Sequence, residues 1–154
     1  MTKQIEAKAE QSGPRIIEVI DNWKKIRAHF NVGIVDDARR DIEGIGELLT
    51  VMRPKVRPIG FLINGYVQPG EMQQRAGATI IRQHSLDAFI VDKGLGYFNS
   101  FDLIRELRDE GFPTIMNTAE PGTRESHRVA DRYVEKHGDP QDLLNTVAGL
   151  LRTG

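Results

Sequence analysis

The chain has 154 residues, 39% of them hydrophobic and 28% charged, the size and balance of one ordinary globular domain. Lys and Arg number 21 against 22 Asp and Glu, so the net charge of -1 supplies no long-range attraction to nucleic acid or to an anionic membrane. The absence of cysteine excludes disulfides, thiolate metal sites, iron–sulfur clusters and thiol catalysis.

The first segment, MTKQIEAKAEQSG, is polar and has no apolar core of a signal peptide, and no later run reaches the length of a membrane span. A cytoplasmic protein is therefore expected. In RIIEVIDNWKKIRAHF, residues 15–30, Ile16, Val19, Ile20, Trp23, Ile26 and Phe30 recur at three- and four-residue steps, which predicts an amphipathic helix. Such a face has to pack on its own domain or on a partner, and a homodimer through this helix is one way to cover it. Residues 1–31 are accordingly read as an N-terminal extension, and residues 32–152 as the main domain.

NVGIVDD, residues 31–37, reads as a strand ending in two carboxylates. ARRDIEGIGELLTVM follows as a helix with Ile42, Ile45, Leu48, Leu49 and Met52 inward. Arg53, Lys55 and Arg57 form the compact basic group, read as a solvated loop broken by Pro54 and Pro58. IGFLI, residues 59–63, is a second strand, stopped by Asn64-Gly65. YVQPGEM is loop, and QQRAGATIIRQH is helix. DAFIVD, residues 87–92, is the third strand, and KGLGYFNS the loop after it. FDLIRELRDEG is a helix closed by Gly111, PTIMNTA (residues 113–119) the fourth strand, and residues 132–135 a short fifth. DPQDLLNTVAGLLRTG is a last helix, with Asp139 as cap and Pro140 at its first position.

Strands thus alternate with helices, and the strands lack polar alternation, as expected when helices cover both faces of a sheet. The fold class expected is α/β: an open, mostly parallel, five-stranded sheet of the flavodoxin-like kind. Ligand sites in such sheets lie outside the carboxyl ends of the strands. Those ends carry Asp36-Asp37, Asp92, Thr118 and Lys136. If the strands bearing them are neighbours, three carboxylates, a hydroxyl and an ammonium converge on one rim. Crowded carboxylates repel one another, and Mg²⁺, which favours oxygen ligands, relieves the repulsion. A carboxylate can also attack phosphorus, and a metal, an ammonium and a hydroxyl are suited to the three peripheral phosphoryl oxygens.

Four segments, VGIVDDARRDIEGIGELL, DAFIVDKGL, FDLIRELRDEGFPTIMNTA and ADRYVEK, resemble the receiver domain of two-component response regulators, over residues 32–152. The resemblance implies a phosphoacceptor at Asp92 and Mg²⁺ held by Asp36, Asp37, Asp92 and the backbone carbonyl of Gly94. It also implies catalytic roles for Thr118 and Lys136, and a switch formed by Thr118 and Tyr133. The phosphoryl group would come from a histidine kinase or phosphotransfer protein, and output would pass to a downstream protein target. Enzymatic activity would be limited to self-phosphorylation from a donor and autodephosphorylation, with Glu120 placed to influence the attacking water.

The sequence departs from the family pattern at several places. His137 follows Lys136 where the family has proline, KGLGYFNS lacks the family's Pro-Gly, and Lys93 adjoins Asp92. The interval from Asp37 to Asp92 is long, with the excess near residues 66–75. The interval from Thr118 to Lys136 is short, which predicts a stunted fourth helix or a loop in its place. Two other readings stay open: a pseudo-receiver that binds proteins without phosphorylation, and a small Mg²⁺-dependent phosphohydrolase. The latter expects a second Asp two positions after the first, where Gly94 stands. His29, His84, His127 and His137 form no sequence cluster, and Gly94 and Gly96 are too few for a dinucleotide fingerprint, so no NAD or ATP cofactor is expected.

Overall fold

The structure, a computed structural model, describes residues 16–119 and 128–153. Its elements in chain order are β1 (Ile17–Ile20), β2 (Phe30–Asp36), α1 (Arg39–Leu49), β3 (Val56–Ile63), α2 (Glu71–Arg82), β4 (Ala88–Val91), α3 (Ser100–Asp109), β5 (Thr114–Thr118), β6 (Arg132–Glu135) and α4 (Pro140–Thr153). The strands form a six-stranded sheet in the order β1-β3-β2-β4-β5-β6. β1 runs antiparallel to β3, and every other pairing is parallel. Counted over the parallel strands alone, the order is 2-1-3-4-5, that of flavodoxin-like sheets.

Burial on both faces explains the near-continuous apolar strands. Val35, Phe61, Phe89, Val91 and Met116 join Ala78 and Ile81 of α2 and Leu103, Ile104 and Leu107 of α3 in one core. Ile34, Ile90 and Ile115, the intervening residues of the same strands, join Ile42 and Leu49 of α1 and Leu143, Val147 and Leu150 of α4 in a second core. Adjacent strand residues point to opposite faces, so each of these strands feeds both cores and has no polar side to show.

The helix expected over residues 15–30 is not formed. Residues 17–20 are a strand, with Ile17 opposite Ile63 and Ile20 opposite Gly60. The β-branched run Ile16, Ile17, Val19, Ile20 favours a pleated strand over a helix, and the open edge of β3 offers it a ladder. The three- and four-residue steps arise because the apolar residues serve three separate pieces. Ile20 lies in β1, Trp23 in the following turn, and Phe30 opens β2. Their burial is nonetheless achieved inside the domain. Ile20 and Trp23 are 4% and 6% exposed, and Ile16 and Phe30 are half-buried against the two cores. The helix through which a homodimer was expected is absent, and of the face assigned to it Val19 stays exposed. The sheet has six strands rather than five for the same reason.

Trp23 packs against α1, where a Cβ added at Gly46 would meet its ring at 2.2 Å, and its Nε1 donates to Glu47 Oε1 at 3.0 Å. β3 also begins earlier than the expected 59, at Val56, and takes in Pro58. β1 reaches along β3 only to Gly60, so Pro58 lies where the strand has one neighbour and a missing N–H is tolerated. Residues 120–127, which contain Glu120 and most of the segment expected to replace the fourth helix, lie outside the described residues. Among the described residues no helix is long and apolar enough to cross a membrane.

Candidate functional site

The strand order reverses between β2 and β4: the chain leaves β2 for β3 on one side and returns through α2 to β4 on the other. A crevice opens at such a reversal, at the carboxyl ends of the strands. Asp36 is the last residue of β2, and Asp92 directly follows β4, tied to its neighbour by a hydrogen bond from its backbone N–H to the Val35 carbonyl at 2.9 Å. Thr118 ends β5, and Lys136 follows β6, its backbone N–H donating to the Thr118 carbonyl at 2.9 Å. Parallel registry thus delivers the four strand-end residues to one rim.

Lys136 is the centre of the group. Its Nζ donates to Asp36 Oδ2 at 2.6 Å, Asp92 Oδ2 at 2.9 Å and Asp41 Oδ2 at 3.0 Å. The ammonium side chain is 8% exposed, and those of Asp36 and Asp92 are 2% and 9% exposed. The other carboxylate oxygens bond to the backbone: Asp36 Oδ1 accepts from Ala38 N–H at 3.0 Å, and Asp92 Oδ1 from Gly94 N–H at 3.1 Å. Asp37 is exposed beside them, and one oxygen each of Asp36, Asp37 and Asp92 lie within 4.8 Å of one another.

Burial and charge crowding show in the ionisation of these groups. Loss of water pushes the Asp36 carboxyl up to about 7, and the neighbouring Asp92 charge pushes the same way. Lys136 and the Ala38 N–H oppose the shift without cancelling it. Burial by itself would lower the Lys136 ammonium, but hydrogen bonds and charge from Asp36 and Asp92 outweigh it and hold the group above its ordinary range.

This cluster is able to hold a divalent cation. All its donors are oxygens, as hard cations require. One ammonium cannot offset Asp36, Asp37, Asp41 and Asp92 together, and the Asp36 carboxyl, raised chiefly by burial, is raised further by the Asp92 charge.

Of the other residues singled out from the sequence, Thr118 is 1% exposed at the end of β5. Tyr133 is half-buried in β6, opposite Met116, and packs against the core on the α2–α3 face. Gly94 closes the turn on Asp92 through its N–H. His137 has a φ of 63°, a left-handed conformation closed to proline, so the turn after Lys136 is built differently from one with proline there.

Two features escaped the sequence reading. One is Asp41, which follows Asp37 by one helical turn and so can face the same rim. The other is a contact between loops. Gly96, with φ of 62°, sits so close to Gly65 that an added Cβ would lie 2.1 Å from the Gly65 carbonyl oxygen, and Tyr97 N–H donates to that oxygen at 3.1 Å. The Ser100 hydroxyl donates to the Lys93 carbonyl at 2.8 Å and fixes the other end of the same loop. A cleft of about 640 Å³, lined by Glu18, Asp37, Asn64, Tyr66 and Gly96 among others, opens beside the rim.

No family model matches the sequence, and no curated protein does. Solved structures do. A two-component response regulator of the LuxR family from an Aurantimonas species matches with a TM-score of 0.64 at 19% identity, over 80% of this chain and 86% of that one. A CheY-like response regulator receiver domain protein from Methanospirillum hungatei gives 0.61 at 19%, over 80% and 94%. The signal receiver domain of an HD domain-containing protein from Pseudomonas fluorescens gives 0.62 at 14%, over 86% and 93%. The fold is that of a receiver domain. At such identities the fold is what is shared. Within this receiver fold, β1 is an antiparallel strand laid on the edge of the parallel set, and the acidic cluster lies at the strand-order reversal.

Proposed function

We propose that this protein is a signal-transduction receiver of the cytoplasm that accepts a phosphoryl group on Asp92 in a Mg²⁺-dependent reaction and signals through protein contact. The observation that carries the reading is the convergence of Asp36 and Asp92 on the Lys136 ammonium, with Asp37 beside them. Asp36, Asp37, Asp92 and the Gly94 carbonyl would hold Mg²⁺. When bound, the cation offsets negative charge and draws electron density from a phosphoryl oxygen.

The donor would be a phosphohistidine on a kinase or phosphotransfer protein. An oxygen of the Asp92 carboxylate attacks phosphorus, the bond from phosphorus to the imidazole nitrogen breaks, and that nitrogen recovers its electron pair. Gly94 N–H fixes one carboxylate oxygen and Lys136 holds the other, so the nucleophile is oriented before the donor arrives. Lys136 then remains as a point charge for the new phosphoryl group. The Thr118 hydroxyl would bond a phosphoryl oxygen, and Tyr133 would move into the space this opens next to β6, carrying the event to the surface read by a downstream protein. In dephosphorylation a water oxygen attacks phosphorus, the bond to Asp92 breaks, and the carboxylate and inorganic phosphate are released.

Incubation with acetyl phosphate and Mg²⁺, read by intact mass, tests the reading. The expected result is a gain of one phosphoryl group that requires Mg²⁺ and is lost in Asp92→Ala. No gain in the wild-type chain, beside a receiver that labels under the same conditions, would leave a phosphorylation-independent binding module. A gain that survives Asp92→Ala would move the acceptor elsewhere.

A further inference from the structure

Lys136 has no proton to spare. An ammonium carries three N–H donors, and all three are taken, by Asp36 at 2.6 Å, Asp92 at 2.9 Å and Asp41 at 3.0 Å. An oxygen of a phosphoryl group on Asp92 can be bonded by Lys136 only if one of these contacts is given up. We infer that Asp41 is the partner exchanged: a positioning residue that holds the third proton of Lys136 while the site is empty and yields it to the phosphoryl group. The inference rests on the phosphoryl-accepting reading of Asp92.

The three partners differ in what release would cost. Asp36 makes the shortest contact, and its side chain is 2% exposed, so turning the ammonium away would strand a carboxylate that water cannot reach. Asp92 is the attachment point itself: forming the acyl phosphate removes its charge and weakens that contact, but attack through Oδ1 would leave Oδ2 as a carbonyl oxygen still able to accept from the lysine. Asp41 makes the longest contact, and its side chain is 32% exposed, so water can replace the lysine there. Asp41 also lies in the first turn of α1, where the unpaired N–H groups and the helix dipole favour negative charge whether or not the lysine is present. The N-cap residue, Ala38, makes no side-chain cap bond, so no other side chain satisfies that turn from the cap position.

Asp41 therefore competes with the incoming oxygen for one proton of Lys136. Its removal should strengthen binding of a phosphoryl mimic, whereas loss of a contact that only supports the fold would weaken binding or leave it unchanged. The test is titration of the full chain with beryllofluoride in saturating Mg²⁺, followed by amide shifts around Asp92, for wild type, Asp41→Ala, Asp41→Asn and Asp41→Glu, with unfolding measured in parallel. Asp41→Ala and Asp41→Asn should bind the mimic roughly two- to fivefold more tightly than wild type, the scale of one partly exposed ion pair. Asp41→Glu should return affinity toward the wild-type value. Folded Ala and Asn variants that bind no tighter would overturn the role of Asp41 and leave the function of Asp92 standing. A failure of both variants to fold would make Asp41 structural and overturn it equally. A wild-type chain that binds no beryllofluoride would overturn the phosphoryl-accepting reading itself, and this inference with it.

Discussion

Lys136→Met keeps the apolar stem of the lysine and deletes its charge, leaving Asp36 and Asp92 buried without their shared ammonium. Removing one partner of a buried ion pair costs about 3–5 kcal/mol when the stranded group stays charged. Asp36 has an escape, because burial already pushes its carboxyl up to about 7, and loss of the ammonium pushes it higher. A carboxyl raised in the fold is protonated there while the unfolded chain is ionised, so stability falls as pH climbs from the ordinary carboxylate value through the folded one. In wild type that fall runs from 3.8 to about 7 and then stops. In the variant it continues above 7. The gap between the two proteins therefore widens by about 1.4 kcal/mol for each pH unit between the two folded values.

The variant should thus lose at most about 3–5 kcal/mol at pH 8, and about 1.4 kcal/mol less than its pH 8 loss at pH 6. Mg²⁺ at ten times its Kd should return about 1.4 kcal/mol to either protein. It should bind the variant more tightly, because no ammonium competes for the carboxylates. Urea unfolding at both pH values, with and without Mg²⁺, gives all of these quantities. Trp23, the single tryptophan and 6% exposed, is the natural reporter. A variant as stable as wild type at pH 8, or one whose loss is the same at both pH values, would refute the account of Lys136 as the charge that holds two buried carboxylates.

Other consequences follow from the same geometry. Mg²⁺ binding requires ionised Asp36, so its affinity should rise by up to about tenfold per pH unit below 7 and level off above. A flat affinity between mildly acidic and mildly alkaline solution, measured by NMR titration, would remove Asp36 from the ligand set. Asp37→Ala should weaken the metal with little change in unfolding midpoint, because Asp37 is exposed and the buried pair does not depend on it; an unchanged metal titration would contradict its place at the site. Gly96→Ala should cost about 1–3 kcal/mol in backbone strain alone, with a further loss from the clash at 2.1 Å with the Gly65 carbonyl. Unfolding measurements that find it as stable as wild type would show that the two loops do not meet as described.

The parallel core was legible because its strands β2, β3, β4 and β5 are largely buried on both faces. Ile34 and Val35, or Ile90 and Val91, have to be apolar regardless of which core they enter, so the runs stand out against the polar helix surfaces between them. The rim residues were legible for a related reason: a charged or hydroxyl residue directly after such a run marks the point where a strand leaves the core. β1 was not legible. Its four residues are too few to display alternation, and what makes them a strand is the open edge of β3, far along the chain. Local pattern carried no trace of that edge, so the steps between Ile16, Ile20 and Trp23 fitted a helix as well. Asp41 was hidden in the same manner. Its partner Lys136 lies 95 residues away, and only the side-by-side placement of β2, β4, β5 and β6 brings them together.

The rim itself argues that it is kept for more than the fold. A salt bridge retained for stability would match charges, and replacing even a well-made buried pair with apolar residues is often neutral or favourable. Here a buried ammonium faces three carboxylates, a fourth lies beside them, and one of the buried pair is pushed up to about 7 by the arrangement. Apolar residues at positions 36, 92 and 136 would extend the cores already present in β2, β4 and β6 and remove the conflict. Conflict of this kind, set at the strand-order reversal where such sheets bind their ligands, is what a site must carry if its charge is to be completed from outside. A divalent cation would supply what the single lysine lacks, and a phosphoryl group on Asp92 would then draw that lysine away from Asp41.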